Sequence, residues 1–139
     1  MHSSYKCVLF IDDDKATNFI NQFLAKRSNH FEKVMIASSG KEGLEYLLKA
    51  NNGETTCPEI IFLDINMPAM NGWDFLNNLK AQTILNNKIP KIYMLTSSSS
   101  KTDINKAREY NMVKGFLTKP LTNDSLQRLV TDQSVLKFN

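Results

Sequence analysis

Five short apolar runs recur along the chain: "CVLFI" (7–11), "KVMIA" (33–37), "EIIFL" (59–63), "KIYML" (91–95) and "GFLT" (115–118). Each is of strand length, and each is followed by a segment of helical period. Strands with almost no polar member must be covered on both faces, and strict strand–helix alternation supplies the covering layers. The expected fold is therefore α/β, a parallel five-stranded sheet between two layers of helices. In "KATNFINQFLAKR", Ala16, Phe19, Ile20, Phe23 and Leu24 share one face, the stripe that a surface helix turns to its core. "KEGLEYLLKA" groups Leu44, Leu47 and Leu48, and "WDFLNNLKAQ" groups Leu76 and Leu79. The last two helices carry Ile104 and Ala107, then Leu126, Leu129 and Val130. Ser39 and Glu42 have the spacing of a capping box, and Ser100 with Asp103 is a weaker relative of it. The polar stretches "NNGETTCPE" (51–59) and "TILNNKIP" (83–90) read as loops.

At 139 residues the chain is expected to be one domain over 1–139, with a core from about 6 to 131. Seventeen basic residues against fourteen acidic ones leave a formal charge of +3, spread along the chain rather than clustered. That pattern argues against nucleic acid as a partner. Cys7 and Cys57 are far apart and lack a CxxC spacing, which excludes a zinc site and suits a reduced, cytoplasmic protein. The start, "MHSSYKCVLFIDDD", is neither a signal peptide nor a membrane span. "TDQSVLKFN" is expected to be the tail of the fifth helix, with no output domain after it.

In open parallel sheets of this kind, ligands bind beyond the carboxyl ends of the strands. The first strand ends in Asp12, Asp13 and Asp14, the third in Asp64, the fourth in Thr96 and Ser97, and the fifth in Lys119 and Pro120. Taken singly, each has a bland role: Asp14 or Asp64 as a helix cap, Lys119 before a turn, Thr96 within a strand. Together they place carboxylates, a cation and hydroxyls at one crevice. Converging carboxylates repel unless a cation intervenes, and all-oxygen ligation suits Mg2+. An ionised Asp needs no general base to attack phosphorus, which would give an aspartyl phosphate. Three Asp charges, one Lys and one Mg2+ sum to zero, so adding a phosphoryl group unbalances the site and favours a rearrangement.

The segments "VLFIDDD", "FLDINMPAMNG", "YMLTSS" and "GFLTKPL" stand in the order and spacing of the response-regulator receiver domains of two-component signalling, which the chain resembles from about Lys6 to Thr131. The resemblance implies a flavodoxin-like fold with strand order 2-1-3-4-5. It also implies Asp64 as phospho-acceptor, Asp13 as a direct Mg2+ ligand, and Asp12 acting through water. Asn66 would ligate the metal through its backbone carbonyl. Thr96 becomes the switch hydroxyl, Lys119 the phosphoryl-binding cation, Phe116 the switch aromatic, and Ser97 the small residue that admits the phosphoryl group. The implied partners are a histidine kinase or phosphotransfer protein and an unknown downstream protein. Such a regulator catalyses only its own phosphoryl transfer and dephosphorylation. "EYNMVKG" lacks the Gly that many receivers place before the fifth strand, and Asn111 is the residue expected to take a left-handed cap there.

Two other classes remain open from residues alone. "DDDKAT" (12–17) partly resembles the signature of haloacid-dehalogenase-type phosphohydrolases, although no later acidic pair follows Lys119. A receiver-like module that binds without phosphorylation would also keep the fold.

Overall fold

The computed structural model describes residues 5–82, 90–97, 100–131 and 136–137. Strands and helices alternate: β1 (Tyr5–Ile11), α1 (Lys15–Ser28), β2 (Phe31–Ala37), α2 (Gly40–Asn51), β3 (Ile60–Leu63), α3 (Gly72–Gln82), β4 (Lys91–Thr96), α4 (Lys101–Ala107), β5 (Val113–Thr118) and α5 (Asn123–Val130). The five strands pair in parallel in the order 2-1-3-4-5, the flavodoxin-like arrangement. The expected loop at 83–90 lies outside the described residues except for its last position. No helix among the described residues is long and apolar enough to cross a membrane.

The end of the chain differs from expectation. α5 stops at Val130 with Thr131 as its C-cap, and a short strand β6 (Leu136–Lys137) pairs antiparallel with β5 at Gly115 and Phe116. Continuing the helix would leave the β5 edge unpaired, whereas returning to it gives backbone donors and acceptors their partners.

Alternate strand residues enter two cores. Leu9, Ile11, Ile61 and Leu63 join the cluster with Leu47, Phe75, Leu76 and Ala107 on one face. Val8, Phe10, Ile60 and Phe62 join Ala25, Leu126 and Leu129 on the other. All eight strand residues are at most 1% exposed, and the Phe10 and Phe62 rings stack at 5.0 Å. Burial of each such side chain contributes about 1.5–3 kcal/mol. β1 and β3 are thus the rigid centre of the sheet, and their last residues lead directly into the acidic positions.

The helices follow the predicted stripes in α3, α4 and α5, where Leu76, Leu79, Ala107, Leu126 and Leu129 are buried. In α2 the buried stripe is Gly40, Gly43 and Leu47, and Leu48 is 50% exposed. A Cβ at Gly43 would stand 2.6 Å from Ile11 Cδ1, so this glycine lets α2 press onto β1 and turn Leu48 outward, while Gly40 lies against the Met70 side chain. Ser39 Oγ accepts from Glu42 N at 3.1 Å, while Glu42 Oε1 accepts from Ser38 N rather than from the cap residue.

α1 overturns its predicted face. Asn18, Asn21 and Ala25 are buried, whereas Phe19, Ile20 and Phe23 are 70%, 52% and 54% exposed. Ala16 is exposed too, and Leu24 is half-buried. The turn leaving β1 sets this phase. Asp14 caps the helix, accepting from Ala16 N at 3.0 Å and Thr17 Oγ1 at 3.1 Å, and Asn18 Nδ2 donates to the Asp12 carbonyl at 2.7 Å. Burying Asn18 Oδ1 and Asn21 Nδ2 without partners costs about 1–3 kcal/mol each.

Asn111 does not take the left-handed cap. Among the described residues, the positive φ values outside glycine belong to Asn29 (61°) and Ala69 (66°). α4 instead unwinds through turns, with Tyr110 N donating to Ala107 O and Val113 N to Tyr110 O. Tyr110 also stacks on Trp73 at 6.0 Å and donates its hydroxyl to Asn77 Oδ1 at 2.9 Å, with Lys106 Nζ 4.8 Å above the indole. The exit of α4 is thereby fastened to α3.

Candidate functional site

Ile11 pairs with Leu63, so Asp12 and Asp64 leave adjacent strands side by side. Main-chain bonds hold both: Asp64 N donates to Ile11 O at 3.0 Å and Asp12 N to Ala37 O at 3.1 Å. Asp12 and Asp64 are 3% and 6% exposed, and Asp13 stands exposed at the mouth. One carboxylate oxygen from each of these three residues lies within 4.8 Å of the others. Lys119, just past β5, places Nζ 2.6 Å from Asp12 Oδ2 and 3.5 Å from Asp64 Oδ1. Its backbone N donates to Thr96 O at 2.6 Å, tying the exits of β4 and β5, and the Lys119–Pro120 peptide is cis.

The structure therefore brings Asp12, Asp13, Asp64 and Lys119 into one ionic cluster. Thr96 is fully buried at the end of β4, with Ser97 exposed after it. Asn66 is exposed on the loop between β3 and α3. Phe116 is 3% exposed and packs in the core with Met94 and Ala107.

Burial raises the Asp64 pKa above the ordinary aspartate value, and the Asp12 charge adds to this; Lys119 offsets only part of it. For Lys119, burial works against the charge. The hydrogen bond that the ammonium donates to Asp12 and the charges of Asp64 and Asp12 outweigh it and hold Lys119 above its usual pKa. Three carboxylates against one ammonium leave the pocket short of positive charge. The donor set is all oxygen, which fits a small hard divalent cation such as Mg2+ and not a thiolate-preferring metal.

Two supporting residues were not singled out from the sequence. Gly72 opens α3 against the end of β3: its N donates to Ile65 O at 2.8 Å, and a Cβ there would stand 2.7 Å from Asp64 O. The contact is with backbone, so Gly72→Ala must displace the Asp64 main chain. The expected cost is about 1–3 kcal/mol in urea denaturation, with weaker Mg2+ binding in the same protein. The Gly that ends "NMPAMNG" was the available signal. Asn18 is the other; its trace in the sequence is the asparagine pair in "TNFIN", three residues apart and so on one helix face.

The response regulator receiver domain model matches residues 8–131. The crystal structure of a two-component response regulator from Cytophaga hutchinsonii is 32% identical, with a TM-score of 0.80 over 92% of this chain and 96% of that one. The probable methanogenesis regulatory protein FilR2 of Methanothrix harundinacea is 28% identical over 125 residues, 90% of this chain and 79% of that protein. The nitrate/nitrite response regulator protein homolog of Haemophilus influenzae is 32% identical over 123 residues, 86% of this chain, which spans 52% of that relative. Receiver domains are signalling regulators that bind Mg2+ in an acidic pocket and interact with histidine kinases or phosphotransfer proteins. With the match running almost from end to end and the same sheet order beneath it, this chain belongs to the response regulator receiver family.

Proposed function

We propose that this chain is a phosphorylation-driven switch in which Asp64 accepts a phosphoryl group from a histidine kinase or histidine phosphotransfer protein. The observation that carries this reading is the ionic cluster of Asp12, Asp13, Asp64 and Lys119 at the ends of β1, β3 and β5. An ionised Asp64 oxygen attacks phosphorus; the P–N bond to the donor histidine breaks as the P–O bond forms, and the ring nitrogen keeps the electron pair. Asp12, Asp13, Asp64 and the Asn66 carbonyl would hold the Mg2+, which supplies positive charge to the phosphoryl oxygens. Lys119, already 3.5 Å from Asp64, turns to the same oxygens. The product carries about one more negative charge than Asp64 did, and the Thr96 hydroxyl is the donor proposed to meet it. Thr96 and Phe116 then relay the change to the outer surface, because they lie on β4 and β5, which pair along their length.

The donor must reach the carboxyl ends of the strands, beside the start of α1. The exposed Phe19, Ile20 and Phe23 on that helix supply an apolar surface for a protein partner. The Phe19→Ser, Phe23→Ser double variant is expected to slow transfer from a phosphorylated histidine phosphotransfer domain by about tenfold or more. Labelling by acetyl phosphate, which needs no docking, stays unchanged. Equal slowing with both donors would place the defect in the site itself. Output passes through protein contacts, not nucleic acid or membrane, and the reduced thiols of Cys7 and Cys57 suit the cytoplasm.

The test is intact-mass measurement after incubation with Mg2+ and acetyl phosphate. A single phosphoryl adduct that is lost by hydrolysis and absent without the metal supports the reading. An unchanged mass, together with an unchanged spectrum around Thr96 and Phe116 on adding a beryllofluoride mimic, overturns it.

A further inference from the structure

α1 buries amides and exposes aromatic rings, the reverse of a helix placed by apolar burial alone. A rotation by one residue, roughly 100°, would bring Phe19 toward the sheet in place of Asn18. The bonds at the strand end oppose that rotation. Asn18 Nδ2 donates to Asp12 O at 2.7 Å, Asn18 N donates to Asp14 O at 3.0 Å, and Asp14 N donates to Asp12 Oδ1 at 2.9 Å. Together they lock the main chain from Asp12 to Asp14, which carries two of the three clustered carboxylates. One turn on, Asn21 lines a narrow cleft with Asp12, Asp64, Phe10, Phe62 and Leu95. Asn21 Nδ2 is buried without a partner, and the cleft is too narrow to admit a water molecule that could satisfy it.

We propose that the amide side of α1 is a supporting layer of the phosphorylation site. Asn18 positions the main chain that carries Asp12 and Asp13, and Asn21 holds an N–H donor for the Asp12–Asp64 pair when Lys119 turns to a phosphoryl group. Both are positioning residues, and the inference rests on the phosphorylation reading above. It accounts for two otherwise unfavourable choices at once: the buried orphan atoms and the helix phase that leaves Phe19 and Phe23 in solvent.

The test uses Asn18→Leu and Asn21→Leu in the full chain, with Ala25→Gly as a control on the same buried side of α1. Asn18→Leu is expected to weaken Mg2+ binding by about tenfold, the usual lower figure for loss of a supporting contact at a metal site. In the metal-free protein it speeds amide exchange at Asp14, while the thermal midpoint holds because the orphan Oδ1 is removed with the donor. Asn21→Leu keeps Mg2+ affinity but is labelled by acetyl phosphate severalfold more slowly. Ala25→Gly lowers the midpoint and leaves both Mg2+ affinity and labelling intact. Should a leucine variant not fold, Asn18→Ser and Asn21→Ser are measured in the same way. Wild-type Mg2+ affinity, exchange and labelling in the asparagine variants would overturn the inference while leaving the phosphorylation reading standing. So would defects that merely follow the midpoint. A parent chain that binds no Mg2+ and takes no label overturns both.

Discussion

Asp64→Asn is expected to take up no phosphoryl group where the parent chain is labelled, and to be more stable than the parent at neutral pH without metal. The first effect is complete because the nucleophilic oxygen pair is gone. The second follows from the raised Asp64 pKa, caused by burial and then by the Asp12 charge. Between the ordinary value of 3.8 and the raised value, the folded chain binds more protons than the unfolded one. This group therefore makes the parent more stable as pH falls from neutral through the raised value toward 3.8. Asparagine, with no proton to gain, lacks that slope. Urea denaturation without Mg2+, at neutral pH and just above 3.8, should show the variant's advantage shrinking toward acid. Labelling that survives the substitution would move the acceptor elsewhere, and an advantage independent of pH would mean that Asp64 ionises without penalty.

Lys119→Met is expected to be the most destabilising single change at the site, by about 3–5 kcal/mol without metal, because it strands two buried carboxylates. The parent holds Asp12 and Asp64 against this one ammonium at 2.6 and 3.5 Å. The pKa of Lys119 is raised, so its stabilising contribution is whole below the ordinary 10.5 and is lost as pH climbs through the higher folded value. Saturating Mg2+ supplies a replacement cation and should return part of the lost stability. Labelling should remain about 10²-fold slow, since the group that meets the phosphoryl oxygens is missing. Urea denaturation with and without Mg2+ separates the two effects. A metal-free variant as stable as its parent would show that the ion pair does not hold the pocket together.

Much of this was visible in the residues. β1 and β3 were legible because an unbroken apolar run has few places to go other than the centre of a parallel sheet. The meeting of Asp12, Asp13, Asp64 and Lys119 followed from that, since strand ends share one edge of the layer. What periodicity could not show was which stripe of α1 faces inward. The apolar pattern of Phe19, Ile20 and Phe23 is real, but Asp14 and Asn18 bond the turn first and fix the helix phase against it. Leu48 faces outward for a related reason: Gly43 carries no apolar weight in a pattern, yet it lets α2 approach β1 at Ile11. Asn111 was expected in a left-handed cap by analogy with a missing glycine, while the chain leaves α4 by ordinary turns.

The sixth strand also bears on how copies of this chain behave toward one another at high concentration. An open sheet offers two bare edges, each a template on which a foreign strand can nucleate aggregation. On the β5 side, Leu136 and Lys137 already occupy the backbone groups opposite Phe116 and Gly115. The opposite edge, β2, is guarded differently, by Glu32 and Lys33 near its start. One margin is blocked by the chain's own backbone and the other by charge, so removing residues 132–139 would reopen the β5 margin and leave Lys114 as the charged residue within that strand to guard it.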